Sequence, residues 1–127
     1  MSYTASVAGI QQNYLGKAIG SGQCVAFVEL AAKTPHTAAW KRGRLVAGDT
    51  TIPEGTAIAT FDPAGTYGNH TDGRSHGAIY VSQVAGQGLD VYDHWLGQPV
   101  HQRIIHFRDS SYTGHAVNDG NQFYVIE

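Results

Sequence analysis

The hydrophobic pattern of this chain changes its period once, and that change constrains the fold class. Residues 24–33 (CVAFVELAAK) place apolar side chains at positions i, i+3, i+4, i+7 and i+8, which is the spacing of an amphipathic helix. After Gly48 the pattern alternates with period two in segments rich in β-branched residues, which is typical of strands. The sequence therefore predicts an α+β protein in which N-terminal helices pack on an antiparallel sheet of about five strands.

Turn and capping residues predict where these elements begin and end. Lys33 is expected in the last turn of the second helix, and Pro35 stops that helix. Neither a repeat nor a linker-like tract divides residues 1–127, so we expect one domain. The pattern does not give the order of the strands. Helices are expected at residues 10–18, 24–33 and 37–41, a polar loop at 62–75, and strands at 56–61, 76–82, 89–95, 101–107 and 122–126.

Charge and hydropathy exclude two classes of function. The chain of 127 residues has a net charge of −2, so it lacks the basic surplus that binding to nucleic acid or an anionic membrane requires. No apolar run approaches the roughly 18 residues of a membrane span, so we expect no membrane insertion. Residues 1–10 lack the basic and apolar regions of a classical secretory signal. We therefore expect synthesis in the cytoplasm without a signal peptide.

The chain contains one cysteine, Cys24, which cannot form an internal disulfide or a multi-cysteine zinc site. Cys24 follows a glycine-rich turn and opens the predicted second helix. The partial positive charge and free N–H groups at a helix N-terminus favour a thiolate and can bind the oxyanion of a tetrahedral intermediate. The sequence thus indicates a nucleophile, and the alternative is a small buried packing residue on the apolar stripe.

His76 is the candidate base for this nucleophile. It begins a predicted strand directly after the long polar loop, so its ring can lie at the edge of the sheet facing a helix end. A cysteine nucleophile needs a histidine that takes up its proton and later returns one to the leaving amine. The alternative is a surface or capping histidine without a catalytic role. The chain contains seven histidines, so a histidine at this position is not by itself evidence of a base.

The residue that orients the imidazole is expected on the next strand, where Asp93 and His94 are adjacent. Adjacent strand residues face opposite sides, so only one of them can point at His76. Asp93 shares its face with three apolar side chains, and a carboxylate there needs a partner. We therefore predict Asp93 as the third residue, with His94 as the alternative. A further possibility is that Asp93 only marks the end of the strand.

Two motifs resemble those of a known superfamily. Residues 22–28 (GQCVAFV) resemble the nucleophile helix of the CHAP and NlpC-type cell-wall amidases, which are small papain-like domains. Residues 75–81 (SHGAIYV) resemble the second motif of those amidases, His-x-Ala-Ile/Val-x-Val. The cysteine precedes the histidine, which separates the chain from permuted relatives in which the histidine comes first. Residues 118–126 also resemble short bacterial proteins similar to the amidase effectors of the type VI secretion system.

This resemblance implies a papain-like fold with Cys24, His76 and Asp93 as the catalytic residues. Relatives often carry histidine, asparagine or glutamate where this chain has Asp93. The implied substrate is the stem peptide of peptidoglycan, cut at a bond involving a D-residue without a cofactor. The implied route is delivery into the periplasm of a rival bacterium, and a cognate immunity protein is then an expected partner. Two other functions stay open, namely a non-enzymatic cell-wall or protein-binding module and a protein glutamine deamidase or transglutaminase.

Several other residues are weaker candidates. Asn69 and His70 lie in the polar loop and could line a cleft. His70, His76 and His94 match no compact zinc-ligand spacing, so we expect no metal. Asn13 and Tyr14 precede the nucleophile and could add an oxyanion donor, whereas Trp40 and Trp95 are expected in the core or a cleft wall.

Overall fold

The fold consists of two helices followed by a six-stranded sheet, in a computed structural model that describes residues 2–20, 22–109 and 111–127. The predicted α+β class is confirmed, although the sheet has six strands rather than about five. The helices are α1 (Val7–Asn13) and α2 (Cys24–Ala32), and the strands are β1 (Arg42–Leu45), β2 (Ala57–Thr60), β3 (Gly77–Val84), β4 (Gly88–Trp95), β5 (Gln98–His106) and β6 (Phe123–Ile126). Short 3-10 helices span Thr37–Ala39, Ala116–Asn118 and Gly120–Gln122.

The strands are arranged in the order β1-β6-β2-β3-β4-β5, and every neighbouring pair is antiparallel. Strands β2 to β5 follow one another in the sheet, as hairpin connections allow. The C-terminal strand β6 then returns to pair between β1 and β2. This order places β3, β4 and β5 side by side, so the start of β3, which directly follows His76, lies next to β4 and β5, which carry Asp93, His101 and Arg103.

Apolar side chains pack on both faces of the sheet. The helices cover one face, and α2 packs against β3 and β4. Alternation along each strand sends successive side chains to opposite faces, so one strand serves both clusters. The helix-side cluster includes Ile10, Phe27, Val28, Trp40, Ile79 and Tyr92. The opposite cluster includes Ile52, Ile58, Leu89, Val91, Ile105 and Phe123. Among the described residues, neither helix has the length and apolar composition to span a bilayer.

The sequence pattern missed β1. Its four residues (RGRL) are half-exposed or exposed and carry no alternation of apolar and polar side chains. β1 lies at the edge of the sheet, where a strand can be held by backbone hydrogen bonds without burying a face. Its pairing with β6 joins residues 42 and 126, which are far apart in the chain. A strand held by such long-range hydrogen bonds alone leaves no periodic signal in its own sequence.

The first helix lies earlier than the predicted residues 10–18. Ser6 caps its N-terminus, with its Oγ accepting a hydrogen bond from the Gly9 N–H, so the helix begins at Val7. It ends at Asn13 because the chain then turns to meet β5, where the Gly16 N–H donates to the Val100 carbonyl. The correction shows that tertiary pairing overrides helix propensity in residues 14–18.

The second helix lies within one residue of its expected bounds. It ends at Ala32, and Lys33 is the C-cap in a left-handed conformation (φ 56°) rather than a residue of the last turn. The expected helical turn that follows is the 3-10 helix Thr37–Ala39, and Trp40 after it is fully buried. The predicted strands correspond to β2 to β6, and only their ends differ.

Candidate active site

A cleft of about 520 Å³ opens where the N-terminus of α2 meets the start of β3. Cys24 and His76 both line this cleft, together with Tyr67, Trp95, Arg103 and Asn118. The wall is thus assembled from the start of α2, the loop between β2 and β3, the β4–β5 hairpin and the 3-10 helix Ala116–Asn118. The cleft brings the sequence-predicted nucleophile and base together although 52 positions separate them in the chain.

Cys24 is the first residue of α2 and is half-buried. Gly22 takes a left-handed conformation (φ 87°) that turns the chain into the helix, which a residue with a Cβ adopts only with strain. Gly77 allows α2 to approach β3 closely, because a Cβ there would lie 3.3 Å from Val28. The backbone N–H of Gly77 faces the thiol and contributes to lowering the pKa of Cys24. The two glycines therefore place the thiol against the start of β3.

His76 is held from its backbone by Thr60, the last residue of β2. The Thr60 hydroxyl accepts a hydrogen bond from the His76 N–H (2.9 Å) and donates one to the Arg74 carbonyl (3.0 Å). The Thr60 N–H in turn donates to the His76 carbonyl (3.0 Å). Because these bonds fix the backbone, the buried ring has little freedom except rotation about its own side-chain torsions. The ring is thereby aimed between Cys24 and Asp93.

Asp93 is fully buried and receives three basic side chains. The His76 Nε2 donates to its Oδ2 at 2.7 Å, and the Arg103 Nε donates to the same oxygen at 2.8 Å. The His101 Nε2 lies 2.8 Å from Oδ1, within ion-pair distance but without the alignment of a hydrogen bond. Of the two residues that the sequence left open, Asp93 is the one that contacts His76. Since Nε2 of His76 faces Asp93, Nδ1 is the nitrogen left for Cys24.

The pKa values of these three residues shift toward an ionised site. Burial alone would raise the pKa of Cys24, but the hydrogen bond and charge of His76, with smaller contributions from Gly77 and Tyr67, lower it. Burial alone would lower the pKa of His76, but Asp93 and Cys24 raise it to about 9. Burial likewise opposes ionisation of Asp93, but His76 and Arg103 hold its pKa below the ordinary value. A thiolate–imidazolium pair backed by a carboxylate is the arrangement that these shifts favour.

Tyr67 is a site residue that the sequence did not reveal. Its hydroxyl lies 3.7 Å from the Cys24 sulfur. Its ring packs against Trp40 with centroids 4.8 Å apart and against Phe61 at 6.4 Å. Burial, then the charge of Cys24, raises the pKa of Tyr67 far above its ordinary value, so the hydroxyl stays protonated and can act only as a donor toward a thiolate. No periodic signal in the loop pointed to this tyrosine.

Arg103 and His101 are two further site residues that the sequence did not single out. Both lie on β5, and His101 is the direct cross-strand partner of Asp93. The ring of Trp95 lies beneath the Arg103 guanidinium at 5.1 Å and meets the His101 ring edge-on at 5.0 Å. Predicting that Arg103 and His101 contact Asp93 would have required the register of β4 against β5, which the sequence pattern did not give.

The model of the domesticated amidase effector 2 family matches residues 2–126 of the chain. The chain belongs to this family. A domesticated amidase effector 2 from Ixodes scapularis is 36% identical over 110 residues, which span 83% of this chain and 70% of that protein. A type VI secretion amidase effector 2 protein from Salmonella typhi is 37% identical over 82 residues, which span 65% of this chain and 59% of that protein. The expected resemblance to short type VI amidase effectors is confirmed.

A solved structure has the same fold as this amidase effector family member. The structure of a type 6 secretion amidase effector 2 (Tae2) superposes with a TM-score of 0.81, covering 97% of this chain and 93% of that one. The two sequences are 24% identical. The likeness shows that the two chains share their overall fold.

His94, the alternative third residue, contacts the backbone of the segment before α2. Its Nε2 accepts a hydrogen bond from the Ile19 N–H (3.0 Å), so a neutral ring carries its proton on Nδ1, which lies 3.3 Å from the Gln23 carbonyl. Phe27 packs near the same ring at 6.4 Å. His94 thus fastens the segment before α2 to β4 from the helix side of the sheet.

The other polar candidates lie around the cleft without reaching the thiol. His70 lines the cleft, but its Nε2 pairs with Asp62 (3.0 Å), and the exposed Asn69 adopts a left-handed conformation. The three histidines considered for zinc each face different partners. Within residues 2–20, 22–109 and 111–127, no three histidine, cysteine or acidic side chains converge as a metal site.

The remaining candidates divide between the core and the rim. Tyr14 packs edge-on against Phe27 and Asn13 is exposed, so the hydroxyl beside the thiol comes from Tyr67 instead. Of the two tryptophans, Trp40 is in the core and Trp95 forms part of the cleft wall, as the sequence predicted.

Proposed function

We propose that this protein is a papain-like cysteine amidase, formed by one domain over residues 1–127, that cleaves amide bonds in the stem peptides of peptidoglycan. The observation that carries the proposal is that Cys24 and His76 line the same cleft while His76 is paired with the buried Asp93. A fully buried carboxylate and a buried histidine are costly to maintain unless they are paired, and here the pairing ends on a nucleophile in an open cleft.

The first half of the proposed reaction is acylation. The Cys24 thiolate attacks the amide carbonyl carbon, and the carbonyl oxygen becomes an oxyanion. The N–H groups at the start of α2 and the Tyr67 hydroxyl are the donors available to that oxygen. The His76 imidazolium then gives its proton to the leaving nitrogen, the carbon–nitrogen bond breaks, and a thioester and a free amine result.

The second half is deacylation. Neutral His76 takes a proton from water, whose oxygen attacks the thioester carbon. Collapse of the second tetrahedral intermediate expels the Cys24 thiolate and releases the carboxylic acid, while His76 keeps the proton and the ion pair is restored. Asp93 keeps one tautomer and one ring orientation throughout, because its Oδ2 accepts from Nε2 and leaves Nδ1 for the sulfur.

The relatives of this chain extend the proposal to a biological role. A type VI secretion amidase effector from Salmonella typhi is among them, and this chain shares 37% of its residues over the matched segment. We infer delivery of this protein into the periplasm of a target bacterium, where peptidoglycan is accessible. A producing cell would then need a cognate immunity protein as partner.

Digestion of purified peptidoglycan tests the substrate directly. Sacculi are incubated with the protein or with the Cys24→Ala variant, and the released fragments are identified by mass. New amine and carboxyl ends within the stem peptide, formed by the native protein only, are the expected result. Intact sacculi together with a mass shift of about one dalton on a protein glutamine would instead identify a deamidase. Intact sacculi that retain the protein would identify a binding module.

Expression in two compartments tests the role. The protein is expected to be nearly harmless in the bacterial cytoplasm and to lyse the cell when an export signal is added, because the substrate lies outside the inner membrane. The Cys24→Ala variant with the same export signal is the matched control. Equal harmlessness of the native protein in both compartments would exclude cell wall as the substrate.

A further inference from the structure

Arg103 is a cation in the cleft wall with hydrogen-bonding capacity left over. Its Nε donates to Asp93, and its Nη1 makes a long contact of 3.4 Å with the Asn118 Oδ1. A guanidinium has five N–H groups. Among residues 2–20, 22–109 and 111–127, only the bonds from Nε and Nη1 have an acceptor, so the other N–H groups of Arg103 are available to a ligand. The side chain is 22% exposed and lines the same cleft as Cys24 and His76.

The guanidinium is also held in one orientation. The Asp93 carboxylate fixes its Nε, and the Trp95 ring lies 5.1 Å from its Cζ. His101 packs edge-on against the same ring and supports it. A planar fork that is already immobilised loses little entropy when it binds a second oxyanion, and its geometry matches a carboxylate. If Arg103 served only to balance the charge of Asp93, its guanidinium would not need to line the cleft.

The cleft offers Arg103 no competing acid. Within residues 2–20, 22–109 and 111–127, the side chains that line the cleft include no aspartate or glutamate. Arg103 pairs with the buried Asp93. Asp62, another acid beside the cleft, is paired with His70. The Arg103 end of the cleft is therefore suited to an anionic group of the substrate.

The proposed reaction places that end of the cleft on the side of the leaving amine. His76 delivers a proton to the departing nitrogen, so the residue that carries this nitrogen must lie beside the His76 ring. The Arg103 Nε and the His76 Nε2 both donate to the Oδ2 atom of Asp93, which makes them near neighbours. A substituent on the amine-side residue is thus within the region that Arg103 lines.

We propose that Arg103, assisted by Asn118, binds a free carboxylate on the amino acid that supplies the leaving amine. The inference rests on the proposed amidase function and sharpens its substrate class: peptides whose amine-side residue carries an ionised carboxyl group. The same contact would bind the amine product after acylation, because the carboxylate stays on that fragment.

A pair of peptide substrates and two variants test the assignment. The substrates are identical except that one has a free carboxylate on the amine-side residue and the other a carboxamide. The native protein is expected to favour the acid in kcat/KM by about 10- to 100-fold, as for charged hydrogen bonds. Arg103→Gln is expected to cut the acid-to-amide ratio to about one. Arg42→Gln, a change on edge strand β1 away from the cleft, is expected to leave the ratio unchanged.

The ratio separates substrate binding from support of Asp93, since loss of that support slows both substrates alike. Equal cleavage of both substrates by the native protein, or an unchanged ratio in Arg103→Gln, would overturn the carboxylate site and leave the amidase function standing. Cleavage of neither substrate by the native protein would overturn both. If Arg103→Gln turns over too slowly, binding of the two peptides is measured instead in Cys24→Ala and in Cys24→Ala/Arg103→Gln. Cys24→Ala is expected to bind the acid more tightly than the carboxamide, and the double variant is expected to bind both equally. A preference for the acid that persists in the double variant would contradict the proposal.

Discussion

The two sides of the His76 ring are built in different ways. On the Asp93 side, the partners come from β4 and β5, which are joined by a tight hairpin, and Asp93 and His101 are direct cross-strand neighbours. On the Cys24 side, the partners come from an α-helix, the start of β3 and a loop residue, Tyr67. The carboxylate side depends on strand register, whereas the nucleophile side depends on how a helix packs against a sheet.

This difference predicts which side tolerates change. The carboxylate side is centred on Asp93, which is fully buried beside the buried His76, so removing either member leaves a buried polar or charged group without its partner. On the nucleophile side, Cys24 is half-buried, the Tyr67 hydroxyl lies 3.7 Å from its sulfur, and His76 and Gly77 lower its pKa. Substitutions there are expected to remove chemistry and leave the fold intact, while substitutions around Asp93 are expected to affect both.

Cys24→Ser is the change with the largest expected effect on activity. A serine hydroxyl lacks the ready anion that the thiol provides, so hydrolysis of peptidoglycan is expected to fall by at least about 10⁴-fold. The thermal midpoint is expected to change little, because Cys24 is half-buried and nearly isosteric with serine. Fragment release is measured by mass beside the melting curve. Hydrolysis at the native rate by the serine variant would remove Cys24 from the mechanism.

Asp93→Ala is expected to damage both turnover and stability. Turnover falls by about 10²- to 10⁴-fold, because His76 loses the group that fixes its tautomer. The free energy of unfolding falls by roughly 3–5 kcal/mol, because three basic side chains lose their carboxylate. The matched change His94→Ala is expected to destabilise the protein while lowering turnover per folded molecule far less. The opposite ranking in turnover would transfer the orienting role to His94.

Part of this comparison was readable from the sequence. The helical stripe with Phe27 and Val28 predicted α2, and alternation along β4 predicted that Asp93 rather than His94 faces His76. These predictions succeeded because each depends on a local period. The roles of Cys24, His76 and Asp93 in catalysis stay predictions.

Tyr67 was not readable, because long-range backbone contacts hold its loop. Lys41 and Thr66 form an isolated β-bridge, and the Arg42 N–H donates to the Gly65 carbonyl (3.2 Å). These contacts pin the first part of the loop against the chain near β1, the one strand that the sequence also missed. Both omissions have the same physical cause, since pairing between distant segments leaves no local pattern.

Tyr67→Phe tests the nucleophile side with a smaller expected effect. Removing the hydroxyl is expected to lower amide hydrolysis by about 10²-fold, the order found for loss of one oxyanion donor. Alkylation of Cys24, which forms no oxyanion, is expected to slow much less. Tyr14→Phe is the matched control and is expected to leave both reactions unchanged. Equal losses in hydrolysis and alkylation by Tyr67→Phe would restrict Tyr67 to stabilising the resting thiolate.

The smallest expected effect is a pH dependence of stability. The pKa of His76 is raised from 6.5 to about 9 in the fold, so its protonation contributes stability that is full below pH 6.5 and lost as the pH rises through 9. The lowered pKa of Cys24 acts in the opposite sense, so the measurement uses Cys24→Ala, in which Asp93 remains to raise the pKa of His76 but the contribution of Cys24 is lost. The thermal midpoint of Cys24→Ala is expected to fall as the pH rises above 6.5 relative to Cys24→Ala/His76→Gln, over a window that ends below pH 9. Parallel curves for the two variants would contradict the raised pKa.

The rate of alkylation of Cys24 by iodoacetamide as a function of pH tests the central claim, an ionised thiol paired with His76, most directly. Cys24 is the one cysteine of the chain, so the label reports a single site. We expect fast labelling of the native protein with an apparent pKa below that of an ordinary thiol, and His76→Ala is expected to slow it and move the apparent pKa upward. A native Cys24 that resists iodoacetamide until the protein is denatured would instead be a buried packing residue and would contradict the catalytic account.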